Sequence, residues 1–268
     1  GISALPAGGQ HVDPEYPSHG ESVIISAESG SSETARLIYY RNVLSLPDTV
    51  YMKEERGIWR TSLTVKDTSV KMIRYTVDRI GSADIRNWNE LLLYREGNVA
   101  VKGGHLANAL TYTGAGGVRG ENLEAALEQV RKELTLYPGN LDAYLLNFSI
   151  ILRMREADKR AVEYVEETTE KLLEKEPSNK RMLTFAIQVY NMIGDSRKAR
   201  DLEQRLIELD PSGEAAAKQD FEEIMREENT ERRITRLESF LKQYGETRYA
   251  EFALSSLAGA RIQAEDTT

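Results

Sequence analysis

Residues 180–211 read KRMLTFAIQVYNMIGDSRKARDLEQRLIELDP, two helical stretches at 183–193 and 196–209 that bend at Gly194-Asp195 and stop at Pro211. Proline ends a helix because it has no N–H to donate and its ring collides with the preceding turn, and glycine leaves one at the least steric cost. The same stop recurs on both sides, at Leu136-Tyr137-Pro138, Lys175-Glu176-Pro177 and, with glycine for proline, Gln243-Tyr244-Gly245, at spacings of 39, 34 and 34 residues. Between the stops lie amphipathic stripes: Leu123, Leu127, Val130 and Leu134 in 121–137, and Ala161, Val165, Thr168 and Leu172 in 161–176, where Glu167 stands four residues before Lys171. A single helical hairpin cannot cover its own apolar face. A repeated one stacks, and the stack makes the core.

Working back from this region, the hydrophobic period changes near residue 103. Short β-rich runs precede it at 21–27, 35–41, 50–53, 57–65, 70–79, 89–95 and 98–102. Several alternate cleanly: Val23, Ile25 and Ala27 share a face, as do Trp59, Thr61, Leu63 and Val65, and again Ile73, Tyr75 and Val77. Turn residues sit between the runs, at Gly30-Ser31-Ser32, Pro47-Asp48, Lys66-Asp67, Gly81-Ser82 and Glu96-Gly97-Asn98. Period-2 runs about every ten residues predict a small antiparallel, Ig-like β-sandwich with Trp59 in its core. The expected organisation is a tail at 1–17, the sandwich at 18–102, a linker with a short helix at 103–120, and helical repeats at 121–264. The fold class is thus all-β followed by all-α.

The 34-residue helix–turn–helix unit resembles the tetratricopeptide repeat. In 180–211, Leu183 stands at its bulky first-helix site, Tyr190 at the aromatic site, Ala199 at the small second-helix site and Pro211 at the stop, and Ala126 keeps the same distance from Pro138. Departures are Ile187 at the small-residue site, which implies wider packing, and Glu203 and Leu206 where an aromatic and a small residue are usual. The unit ending at Pro177 carries about five extra residues, in its second helix or the preceding turn. The resemblance implies a concave groove presenting Arg181, Thr184, Gln188 and Asn191, with Asp142, Leu145 and Ser149 as equivalents in the unit before. The Lys/Asn/Arg clamp that chaperone-binding members close on a terminal carboxylate is not present.

The last segment is similar to the bacterial envelope variety of these repeats, with Phe240-Leu241 and Tyr244 before Tyr249-Ala250 and Ala253, which implies a periplasmic or secreted location. A sandwich followed by Leu134-Thr135-Leu136-Tyr137-Pro138-Gly139-Asn140 and helical repeats also resembles the front part of secreted bacterial thioredoxin-family proteins. Under that resemblance the chain is the accessory region of a thiol–disulfide oxidoreductase whose catalytic domain lies outside it.

Composition narrows the chemistry. With 35 basic and 43 acidic residues the net charge is −8, which opposes a phosphate backbone, so nucleic acid is not an expected partner. No apolar run reaches the roughly 20 residues of a membrane helix, and the start shows no intact signal peptide. Cysteine is absent, so thiolate chemistry, disulfides and cysteine–zinc sites are excluded within the chain. His11, His19 and His105 are not spaced as ligands, and no metal or cofactor is expected. The run Gly114-Ala115-Gly116-Gly117-Val118-Arg119-Gly120 lacks the spacing of a dinucleotide cradle and reads as a linker. Between Asp78 and Glu90 the calcium-loop spacing fails, with Ile80 and Asn89 at ligand positions. The pairs Glu166-Glu167, Glu222-Glu223 and Glu227-Glu228 point about 100° apart on a helix and read as solvated faces, as does the basic spot Arg232, Arg233 and Arg236. Trp88, in a polar segment, would serve a glycan-binding sandwich if exposed, the least favoured reading. The expectation is a non-catalytic module that binds a peptide or protein.

Overall fold

The structure is a computed structural model describing residues 10–30, 33–42, 45–79, 88–114 and 120–266, without the side chains of the last two. The turns at Ser31-Ser32 and Gly81-Ser82, most of the loop between Asp78 and Glu90, the linker residues Ala115 to Arg119 and the first nine residues lie outside that description. The chain forms two compact units, Gly1–Glu156 and Ala157–Thr268.

Among the described residues the first unit begins with ten strands: β1 (Gln10–Asp13), β2 (Ser22–Glu28), β3 (Ala35–Arg41), β4 (Asp48–Tyr51), β5 (Lys53–Glu55), β6 (Ile58–Thr64), β7 (Met72–Arg79), β8 (Asn89–Leu92), β9 (Tyr94–Arg95) and β10 (Val99–Ala100). They form two antiparallel four-stranded sheets, ordered β1-β2-β6-β5 and β4-β3-β7-β8, with β9 and β10 as a separate hairpin. Alternation explains the shared core. Val23, Ile25 and Ala27 of β2 and Trp59 and Leu63 of β6 meet Leu37 and Tyr39 of β3 and Ile73, Tyr75 and Val77 of β7. This is the expected sandwich with Trp59 inside it. Burial among these side chains pushes the Tyr75 hydroxyl up to about 12.

Strand β7 is buried on both faces. On its outer face Arg36 pairs with its cross-strand neighbour Asp78 at 2.6 Å. Arg74 lies in register between Tyr40 and Glu90, with its guanidinium 4.3 Å from the centre of the Trp88 ring. At the end of the same face Met72 and Leu92 pack with Ala100, Tyr94 and Ala107, so the first helix closes over the sheet.

Nine helices follow among the described residues: α1 (Gly104–Thr111), α2 (Leu123–Leu136) and α3 (Leu141–Met154) in the first unit, and α4 (Lys159–Lys175), α5 (Lys180–Met192), α6 (Ser196–Leu209), α7 (Glu214–Met225), α8 (Thr230–Tyr244) and α9 (Tyr249–Asp266) in the second. In the first unit, Ala109, Ala126, Val130, Ala143 and Ile150 join α1, α2 and α3. Glu133 of α2 ties this core to the end of the β region: its Oε1 accepts from the Gly103 N–H and from Asn140 Nδ2, both at 2.7 Å. The Tyr137 hydroxyl donates to the Ala100 carbonyl at 2.6 Å.

In the second unit α4, α6 and α8 stop where Pro177, Pro211 and Gly245 were read. Side-chain caps open α4, α5, α6 and α8: Asp158, Asn179, Asp195 and Asn229 accept from the N–H groups of the first turn, as short polar residues at this position do. The extra residues of the 39-residue spacing are now located. Helix α4 has 17 residues against 14 in α6, α3 has 14 against 13 in α5, and the turn before α4 is one residue longer. One core of the unit gathers Leu183, Ala186, Tyr190, Ala199 and Leu202 between α5 and α6, and another gathers Ala216, Ala217, Ile224, Leu237, Phe240, Tyr244, Ala253 and Leu257 among α7, α8 and α9. The small residue of α5 in the first of these is Ala186, fully buried, one position before the half-buried Ile187.

Candidate functional site

Helix α5 is two-faced because its apolar residues recur at three- and four-residue steps. Leu183, Ala186 and Tyr190 turn inward against α6. Arg181, Thr184, Gln188 and Asn191, spaced 3, 4 and 3 residues apart, turn outward, and all four are exposed. The Asn179 cap fixes the start of this stripe, its Oδ1 accepting from the Arg181 and Met182 N–H groups at 2.9 and 3.2 Å. The Thr184 hydroxyl donates to the Lys180 carbonyl one turn back at 2.9 Å. The stripe therefore offers a guanidinium, two carboxamides and a hydroxyl on a rigid helix, a set suited to hydrogen-bonding peptide backbone and polar side chains.

The earlier-repeat equivalents sit on α3 in the first unit. Asp142 is exposed, and Leu145 and Ser149 are half-buried beside the core residues Ala143 and Ile150. The two sets thus belong to different compact units.

Behind the α5 stripe, Lys198 of α6 locks the neighbouring helices. Its Nζ donates to Glu166 and, at 2.8 Å, to Glu170 of α4, and it lies 5.2 Å from the centre of the Tyr190 ring. Hydrogen bonds to the two carboxylates, Glu166 first, hold the Lys198 ammonium well above the ordinary lysine range. Glu166 therefore works as a strut. The expected Glu167–Lys171 pair forms at 3.7 Å. Clefts of about 240 and 220 Å³ open elsewhere, one lined by Glu203, Lys218 and Glu222 between α6 and α7 and the other by Asp220, Arg236 and Tyr244 between α7 and α8. The α5 stripe lines neither.

Several of the remaining sequence candidates find structural partners. His19 Nε2 lies 2.8 Å from the Val70 carbonyl and His105 Nδ1 2.9 Å from Gln129 Oε1, a helix-to-helix contact. Among the described residues no group of three or more histidine or acidic side chains is placed to hold a metal ion. Trp88 is half-buried, and the Arg74 guanidinium covers one face of its ring. Arg236 pairs with Glu223 at 3.4 Å and Arg233 donates to Gln263 at 3.2 Å. No helix of the described residues is long and apolar enough to cross a membrane. Sequence reading missed Glu133: a glutamate on an amphipathic stripe looks solvated, and only the fold shows it completely buried. Compared with known proteins, the chain matches no protein-family model and no curated protein.

Proposed function

We propose that the chain is a tetratricopeptide-like interaction module that holds an extended or helical segment of a partner protein, with no chemistry of its own. The observation that carries this reading is the α5 stripe. Arg181, Thr184, Gln188 and Asn191 are all exposed on one face while the opposite face of the same helix is wholly buried. Fixing polar groups on a packed helix lowers the ordering cost of binding, which is what a recognition surface needs. The envelope-like motif around Tyr244 and Tyr249 makes a periplasmic or secreted partner the first to seek.

The test is a pull-down from bacterial envelope extract with the wild-type chain and with the triple variant Arg181→Ala, Gln188→Ala, Asn191→Ala. The expected result is loss of the captured protein, with affinity down about tenfold or more. Capture at wild-type level by the triple variant defeats the groove reading. The resemblance to the leader of secreted thiol–disulfide proteins is compatible with this role, since such a leader would present a client to a neighbouring catalytic domain.

A further inference from the structure

The α7–α8 hairpin carries charge where its neighbour carries core. The two hairpins share a 34-residue register to their ends: α5 and α7 begin at Lys180 and Glu214, and α6 and α8 at Ser196 and Thr230. In that register Ala186, Tyr190, Leu202 and Leu206 of the first become Asp220, Ile224, Arg236 and Phe240 of the second. The first four pack together between α5 and α6, with Ala186 and Leu202 at 0% and 6% exposure. In the second hairpin Ile224 and Phe240 are still buried, but Asp220 and Arg236 are half-buried, and all four line the cleft of about 220 Å³ between α7 and α8. An apolar cavity of about 150 Å³ holds one benzene ring, so this space admits a small organic molecule. Exchanging apolar interior residues for charges seldom adds stability, and packing alone does not account for the pair.

The polar groups around the cleft divide into protons already committed and sites left to a ligand. The Tyr244 hydroxyl donates to Asp220 Oδ2 at 2.6 Å and accepts from Gln243 Nε2 at 2.8 Å. The Thr235 and Ser239 hydroxyls each donate to a carbonyl one turn back, those of Glu231 and Thr235, at 3.1 Å. With these protons spent, the two hydroxyl oxygens are acceptors, beside the Gln243 carbonyl and a carboxylate with room for more than one donor. Such a set suits an ammonium with its three N–H groups. Arg236 pairs through Nη2 with Glu223 at 3.4 Å, and the other donors of its guanidinium suit a carboxylate. Ile224 and Phe240 supply an apolar surface in the same cleft.

We propose that this cleft binds a small zwitterion, a free α-amino acid with an apolar side chain. Asp220 takes the ammonium, Arg236 the carboxylate, and Ile224 with Phe240 the side chain. The site is separate from the polar stripe of α5, so either can fail alone.

Calorimetric titration of the whole chain with L-phenylalanine tests this. Binding is expected with a Kd of about 1 mM or tighter. Phenethylamine and hydrocinnamate, which each lack one of the two charges, are expected to bind about tenfold more weakly or worse. Arg236→Leu restores the residue of the first hairpin and gives up only an exposed ion pair. It is expected to keep or raise the melting temperature and to weaken binding by about tenfold or more, which separates a lost site from a lost fold. Asp220→Asn, which keeps an acceptor for the Tyr244 hydroxyl, is expected to weaken binding as much. The α5 triple variant is expected to bind phenylalanine as wild type does. Absence of binding at about 20 mM phenylalanine overturns the proposal. So does wild-type affinity in Asp220→Asn, or phenethylamine bound as tightly as phenylalanine.

Discussion

Glu133 shows what one side chain does in the first unit. It is completely buried, and its Oε1 satisfies the Gly103 N–H, where the β region turns into α1, and the Asn140 side chain, just before α3. Removing the acceptor costs about 1–3 kcal/mol for the buried Asn140 side chain and less for the half-buried Gly103 N–H. Glu133→Ala is therefore expected to destabilise the first unit by about 2–4 kcal/mol, and Glu133→Gln, which keeps Oε1, by much less. Trp59 and Trp88 are the only two tryptophans and both belong to this unit, so urea unfolding followed by tryptophan fluorescence reads the change there. In the second unit Tyr244 plays a comparable part: its hydroxyl donates to Asp220 at 2.6 Å and is pushed up to about 12, by burial first and then by that bond. The neutral hydroxyl is the form the fold favours. Its contribution is complete below the ordinary tyrosine value of 10.0 and is lost as pH rises through about 12. Tyr244→Phe should cost about 1.5 kcal/mol at neutral pH and flatten the stability of the helices between pH 10 and 12, measured by circular dichroism at 222 nm. An unchanged alkaline slope in the variant would refute the assignment.

Among elements, the α5–α6 hairpin turns on Gly194. Its φ of 80° is the left-handed region, and its Cβ position is open, so backbone strain is the whole cost of a side chain there. Gly194→Ala is expected to destabilise the second unit by about 1–2 kcal/mol, and Gly194→Asn by less, in thermal unfolding followed at 222 nm. An alanine variant as stable as wild type would mean the turn relaxes to another conformation. Local punctuation of this kind is why the helix boundaries could be read in advance: a proline or glycine stop acts within one turn, whatever packs nearby. Alternation made β2, β3, β6 and β7 legible for the same reason. Strand β5 was not, because Lys53, Glu54 and Glu55 are all exposed and become a strand only by pairing with β6. Nor was the second buried face of β7, where Arg74, Thr76 and Asp78 look like solvent residues until the fold covers them. The polar stripe of α5 follows from helical spacing alone.

For the whole molecule, charge separates the classes of partner. The net charge of −8 repels polyanions at long range, and the α5 stripe brings one formal charge, Arg181, to a ligand alongside Thr184, Gln188 and Asn191. Contacts made by carboxamides and a hydroxyl are short-range and weakly screened, while an exposed ion pair fades over a Debye length of about 8–10 Å. A partner held on this stripe is therefore expected to lose no more than about threefold in affinity between about 50 and 200 mM salt. A nucleic acid neutralised through six or more phosphate contacts would lose about a thousandfold or more over that range. Calorimetric titration of the captured partner at the two salt concentrations distinguishes them. A steep salt dependence that survives Arg181→Ala would place binding on another surface, with the cluster of Arg232, Arg233 and Arg236 on α8 as the first to mutate. A shallow dependence that vanishes together with binding in the triple variant would tie recognition to α5.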